Sequence, residues 1–464
     1  MAERSDFSQG SVRSNIMRLA IPMTLAQLIH LLYNIIDRMF IGHLPEDATL
    51  ALTGLGLTFP IITMITAFSN LFSHGGAPLF SIARGQGNRD KAEALQTTSF
   101  TTLLAIGIIL TVVFFIIKKP VLYLFGASDR SFPFADQYLS IYLLGSPMVM
   151  ISLGMNSFIN AQGFGRLGMM TVAIGAILNI ILDPIFIYVF HMGVRGAALA
   201  TVISQTVSAL WVVHTMTSPR MVIPLSLKKL GINWKLLGEI LPLGLSGFVM
   251  AVTNSLVQIF CNSTLQQFGG DMYIGIMTVI ASIREVAQMP VSGITSAAQP
   301  VIGYNYGAKS YSRVKEGIKF MTSVGIGYMT AIWVLMLVFP RFFISLFNND
   351  PELVEKGVQS MTIYFFGFFM QSLQQTGQAV FVALGRSKNA IFFSIFRKVI
   401  IVVPLTLLLP HIAGLGVNGV FLAEPISNWL GGLACFTTMM LTVWRRLPAD
   451  GAEMPLHKRK GAIR

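Results

Sequence analysis

Charge is what this chain has least of. Asp, Glu, Lys and Arg make up 11% of its 464 residues, where a water-soluble domain carries roughly a quarter. That is too little to cover a solvated surface, and it excludes a soluble enzyme and a disordered binder. Cysteine is almost missing. Cys261 and Cys435 both lie within apolar stretches, so they build no disulfide framework and no metal-ligand spacing. No Walker A motif occurs, which excludes direct use of ATP. Gly163-Phe164-Gly165-Arg166-Leu167-Gly168 fits GxGxxG, but no strand precedes it and the dinucleotide reading fails. No cofactor is called for. What fills the chain is apolar: 53% hydrophobic residues, with mean hydropathy +0.67.

A helix needs about 20 apolar residues to cross a bilayer core. Twelve such stretches are present: 15–40, 50–73, 92–117, 136–159, 167–190, 196–217, 236–262, 272–298, 315–339, 358–382, 389–410 and 417–444. Backbone polar groups in lipid must bond within their own segment, so these spans are expected to be helices. The fold class is therefore all-α, a polytopic membrane protein with twelve transmembrane helices. Net charge is +13, and its placement decides its meaning. Basic residues sit in short loops (Arg84, Arg89, Lys91, Arg166, Lys228, Lys229, Arg313, Arg386) and in the tail (Lys458, Arg459, Lys460). The opposite loops carry Glu46, Asp47, Asp129, Asp271, Asp350 and Glu352. This is the positive-inside pattern, with both termini cytoplasmic, and not a nucleic-acid surface. Lys118 and Lys119 run against the rule and are expected to snorkel outward.

The chain is written twice. A shift of 220 residues pairs Pro22 with Pro242, Asn34 with Asn254, Gly87 with Gly307, Gly165-Arg166 with Gly385-Arg386 and Pro184 with Pro404. A shift of 223 pairs Gly193 with Gly416 and Gly196 with Gly419. The expected organisation is 6+6, a parallel repeat, with an N-lobe at 1–222 and a C-lobe at 223–464. Such lobes suit a rocker-type transporter with a central cavity.

The copies differ in polar chemistry. Asp37 aligns with Val257, Asn179 with Val399, Asp183 with Val403 and Thr201 with Glu424. A carboxylate at the bilayer centre costs about 2.5–3.5 kcal/mol on insertion scales and by default marks function. Burial favours the neutral acid and a bound cation favours the ionised one, so Asp37 and Asp183 are candidates to exchange a proton or a small cation. Asn179 and Asp183 share a helix face, and Pro184 beside them removes a backbone donor. On the first span Pro22, Ala26, Tyr33 and Asp37 form one stripe. Arg38 projects about 100° away from Asp37 and is a poor partner for it. His30, Asn34 and Glu424 are lesser candidates for a substrate cavity, while Arg284-Glu285 and Arg397-Lys398 read as ion pairs near span ends. His74 reads as a satisfied structural histidine.

These residues resemble the multidrug and toxic compound extrusion (MATE) family, in its bacterial branch. The resemblance rests on the twelve spans, the repeat, Asn34-Ile35-Ile36-Asp37-Arg38-Met39-Phe40-Ile41-Gly42, Asn179-Ile180-Ile181-Leu182-Asp183-Pro184, and Gly193-Val194-Arg195-Gly196-Ala197-Ala198 leading to Thr201. It implies a monomeric, multi-pass exporter of amphipathic or cationic drugs in the bacterial plasma membrane (cell inner membrane), linked to antibiotic resistance. Export would be driven by H⁺ or Na⁺ held at Asp37, Asn179, Asp183 and Thr201, with Pro22 as the bending proline and Tyr33 as a cavity tyrosine. The family's other subgroup uses acidic residues in the seventh and tenth helices, which have none in their apolar interiors here. The alternative is a lipid-linked precursor flippase of a related branch, which would need a strongly cationic central cavity.

Overall fold

The computed structural model describes residues 5–44, 48–347, 350–412 and 414–452. Glu46, Asp47, Lys458, Arg459 and Lys460 lie outside them. Helix is the only regular structure among the described residues. Six helices form the first half: α1 (Val12–Gly42), α2 (Ala48–Gly85), α3 (Arg89–Leu124), α4 (Phe132–Ala161), α5 (Gly165–Pro184) and α6 (Val194–Thr217). The next helical run, Trp234–Gly307, is two spans, α7 (234–269) and α8 (271–307), joined at Gly270 with φ +70. Only glycine adopts that conformation without steric cost. α9 (Tyr311–Val338) follows, then α10, whose halves Pro351–Tyr364 and Met370–Ala383 flank a break. Twelve spans result once α11, which starts at Ser387–Ile395, and α12 (Val417–Thr442) are added.

Two departures from the sequence reading have local causes. The tenth span is not continuous. Its turn at residues 365–369 is Phe365-Phe366-Gly367-Phe368-Phe369, with Gly367 at φ +67, and the bulky rings pack on both sides of that turn. Lys118 does not snorkel free: its Nζ lies 2.6 Å from Asp136 Oδ1, with 18% of the side chain exposed. An acid one helix away satisfies the ammonium at less cost than reaching for the headgroups.

The repeat is visible in the backbone, and it corrects the register. Gly87 and Lys309 both have positive φ (72 and 56), each after a helix end where the next amide bonds back five residues. Gly163 and Gly385 form the same pair of bonds at φ +94 and +69. The matching turns are therefore 222 apart, pairing Gly87 with Lys309 and Gly163-Phe164 with Gly385-Arg386. The later shift of 223 stands as read. Gly193 (φ 54, ψ −131) and Gly416 (φ 47, ψ −129) are conformational twins. A Cβ added to Gly196 would meet the Phe186 backbone at 2.7 Å, and one on Gly419 the Leu409 backbone at 2.6 Å. The polar asymmetry survives the change: a shift of 222 aligns Asp37, Asn179 and Asp183 with Ile259, Ile401 and Leu405.

The chain divides into two compact units. The first holds Met17–Phe80 and Arg89–Ala251; the second holds Phe7–Ile16, Ser81–Asn88 and the described residues from Val252 on. In lipid the tails are as apolar as leucine, so helices associate through close packing and small residues. The first unit shows this throughout. Gly107 packs on Pro147, Gly145 on Val202 and Gly154 on Leu103, with added Cβ atoms meeting them at 2.7, 2.6 and 2.5 Å. The first half of α7 joins this unit because Gly244 abuts the Leu71 carbonyl of α2, where a Cβ would come within 1.9 Å. The outward faces are apolar, Ile116 and Leu124 being 75% and 81% exposed. In the second unit Leu265, Ile280, Met329, Phe365, Phe368 and Phe421 form the centre of the core.

Candidate functional site

Four helices of the first unit each contribute a polar pair spaced four residues apart, which places both members on one face. α1 gives Tyr33 and Asp37, α4 gives Tyr138 and Tyr142, α5 gives Asn179 and Asp183, and α6 gives Thr201 and Gln205. The α1 pair is preceded by His30 and Asn34, whose Nδ2 lies 3.1 Å from His30 Nδ1. α1, α2, α4 and α6 line a cavity of about 300 Å³, with His30, Tyr33, Asn34, Asp37, Asn70, Tyr138, Thr201 and Gln205 among its walls. Asn179 and Asp183 sit directly behind that wall, 2% and 0% exposed.

The hydrogen bonds define what the site lacks. Asn179 Nδ2 donates to Asp183 Oδ1 at 3.2 Å and to Thr201 Oγ1 at 3.4 Å. Tyr138 lies near Thr201 and Tyr33 near Gln205, and Gln205 Oε1 accepts from Ser152 Oγ at 2.8 Å. The Asp37 and Asp183 carboxyls lie near each other. Asn179 Oδ1 and Asp183 Oδ2 remain buried with no donor among the described residues. A buried acceptor without a donor loses its water and gains nothing in return. Two neighbouring buried carboxyls repel when both are charged, and a proton or a cation relieves that repulsion. The oxygens of Asn179, Asp183 and Thr201 suit a hard monovalent ion.

Local backbone chemistry positions α5. Pro184 has no N–H, and the helix widens there into a π turn at Ile185–Val189, as π segments often do at functional sites. This turn carries Tyr188, whose hydroxyl donates to the Phe40 carbonyl of α1 at 2.7 Å. The bond ties the end of α1 to the end of α5 and holds Asp37 beside Asp183. Pro22 lies within an uninterrupted α1 and does not line the cavity. The side chain of Arg38 lies outside the described set.

Tyr138, Tyr142, Tyr188, Ser152 and Gln205 were not singled out from sequence. The available signal was weak: polar side chains at four-residue spacing inside apolar spans, on the faces turned toward Asp37 and Asp183. Glu424 belongs to the second unit, where it is buried among Arg284, Arg397 and Lys398. These ion pairs lie mid-span, within Ser387–His411 and Val417–Arg446, rather than near span ends. His74 packs against Gly247, whose added Cβ would meet its ring at 2.7 Å.

A duplicated bundle of membrane helices with a polar cavity in one unit is the build of a membrane transporter. The MatE family model matches it twice, over residues 22–185 and 247–408. The chain belongs to the MatE family. It is 24% identical over 449 residues to the multidrug export protein MepA of Staphylococcus aureus (strain bovine RF122 / ET3-1), covering 97% of this chain and 98% of MepA. Among solved structures it resembles the crystal structure of MATE in complex with MaD3S, at 22% identity and TM-score 0.89 over 96% of this chain and 98% of that one. It also resembles an outward-facing multidrug resistance MATE family transporter of the MOP superfamily, at 22% identity and TM-score 0.88 with the same coverage.

Proposed function

We propose that this chain is a secondary antiporter that exports amphipathic or cationic drugs in exchange for inward-moving H⁺ or Na⁺. The observation that carries this reading is the buried pair of acceptors without a donor, Asn179 Oδ1 and Asp183 Oδ2, close to the Asp37 carboxyl that lines the cavity. An incoming ion satisfies them and the outgoing step must strip it away, so occupancy of the site is coupled to the state of the cavity next to it. Thr201 and Asn179 supply neutral oxygens, Tyr33 and Asn34 line the adjoining cavity, and the ring of Pro22 gives α1 a point at which to bend. The export named for MepA supports the substrate class. The Lys/Arg bias supports both termini being cytoplasmic, the relationship to MepA of Staphylococcus aureus supports a bacterial plasma membrane setting, and a single chain contains every group invoked.

Reconstitution into liposomes tests the coupling. With a lipophilic cationic dye as substrate, an imposed pH gradient or an imposed Na⁺ gradient is expected to drive accumulation against the dye's own gradient. Dye movement that responds to neither, while still requiring the protein, would describe a passive pore and end the antiport reading.

A further inference from the structure

The second unit contains a polar centre of the opposite kind. Glu424 on α12 accepts from Arg397 Nη1 at 3.0 Å and Lys398 Nζ at 3.2 Å, and lies 3.7 Å from Arg284 Nη1 of α8. Glu424, Arg397 and Lys398 are 4%, 6% and 6% exposed. Glu285, next to Arg284, is exposed, and Glu424 is the carboxylate in every ion pair these three cations make among the described residues. Three cations therefore share one acid. Lysine can shed its proton when buried, but arginine stays charged, so a positive excess remains even with Lys398 neutral.

The donors are also in excess. Arg397 Nε and Asn428 Nδ2, on side chains more than nine-tenths buried, have no acceptor among the described residues. The seat that holds them is built for the purpose. Arg397 and Lys398 are consecutive, and on an α-helix would diverge by about 100°; the π stretch Phe396–Val402 turns both onto Glu424. Across from them, Glu424, Asn428 and Gly431 lie on one face of α12. Gly431 makes room for the Arg397 stem, which an added Cβ would meet at 2.8 Å. The Arg284 side chain is 30% exposed and donates to the Tyr364 hydroxyl at 2.8 Å, so the centre is least enclosed on the Arg284 side.

We propose that this centre binds a monovalent anion between Arg284, Arg397 and Asn428: the carboxylate of a zwitterionic substrate, or a free halide. The guanidinium fork suits a carboxylate, and a halide would meet the same donors. In the carboxylate arm the site rests on the export reading. The binding itself does not depend on ion coupling in the first unit.

The test is equilibrium binding of radiolabelled chloride to the purified full-length protein in detergent, in a buffer whose other anion is a bulky sulfonate, with benzoate as competitor. Saturable chloride binding is expected. Displacement by benzoate assigns the site to carboxylates, and indifference to benzoate assigns it to the halide. Arg284→Gln, at the least enclosed side of the cluster, is expected to weaken binding by about tenfold or more, the loss of one charge-assisted hydrogen bond. Glu424→Gln is expected to tighten it, because the competing carboxylate is gone. Absence of saturable binding, or binding unchanged in Arg284→Gln, overturns the proposal. Either result leaves gradient-driven export of cationic dye untouched, so the two readings fail separately.

Discussion

Replacing Asp183 or Asp37 by asparagine is expected to reduce gradient-driven efflux to the leak of protein-free vesicles, with insertion and yield close to normal. The amide keeps the size of the side chain and can still bond Asn179 or its partner acid. It cannot take up a proton or balance a cation, so the site stays permanently in one state. Removing one of two neighbouring buried carboxyls also relieves their repulsion, so folding is expected to be spared. The loss is large because, in the proposed antiport, the driving force enters only at this pair: a tenfold H⁺ or Na⁺ gradient is worth about 1.4 kcal/mol per ion, or about tenfold in accumulation. Thr201→Val, which removes one neutral oxygen and leaves both acids, is expected to slow transport without ending it. Efflux that continues undiminished in both asparagine variants would refute the role given to these acids.

The largest expected stability change lies in the other unit. Glu424→Gln takes away the one acid that faces Arg284, Arg397 and Lys398. Breaking a buried ion pair by deleting one partner costs about 3–5 kcal/mol, because a charge is left uncompensated. The variant should therefore lose native tryptophan fluorescence at a clearly lower temperature than the parent. Lys398→Met acts in the opposite direction on the charge excess, since it removes a cation from a cluster that has too many. It is expected to be neutral or stabilising. An equal drop in both variants would mean that packing, and not charge, governs the cluster.

Single-span properties were readable from the sequence, and contacts between spans were not. Twelve helices follow from run length, because lipid leaves the backbone no other partner. Asp37, Asn179 and Asp183 stand out because charge and amide groups are rare in such runs, and the structure brings the three together with Thr201. Tyr138 and Gln205 escaped because nothing local distinguishes a tyrosine facing an acid from one facing a leucine. Glu424 was visible as a charge, but its partners were not. Arg397 and Lys398 are neighbours in sequence, and ideal helix geometry sends them apart; the π stretch that reunites them leaves no periodic signature. The repeat was legible to within two residues. Its register shifted because Gly87 and Gly307, alike in sequence, do not occupy the same turn, whereas Gly87 and Lys309 do.

The central claim is that a cation at Asp37 and Asp183 and a drug in the adjoining cavity exclude one another or reshape one another's site. It is tested most directly by adding a lipophilic cationic dye to the weakly buffered, detergent-purified protein while following pH and free Na⁺. Stoichiometric release of one of these ions on dye binding is expected from the parent protein, and none from the variant carrying both Asp37→Asn and Asp183→Asn. Equal release from that double variant, or dye binding to the parent with no release of either ion, would contradict the account.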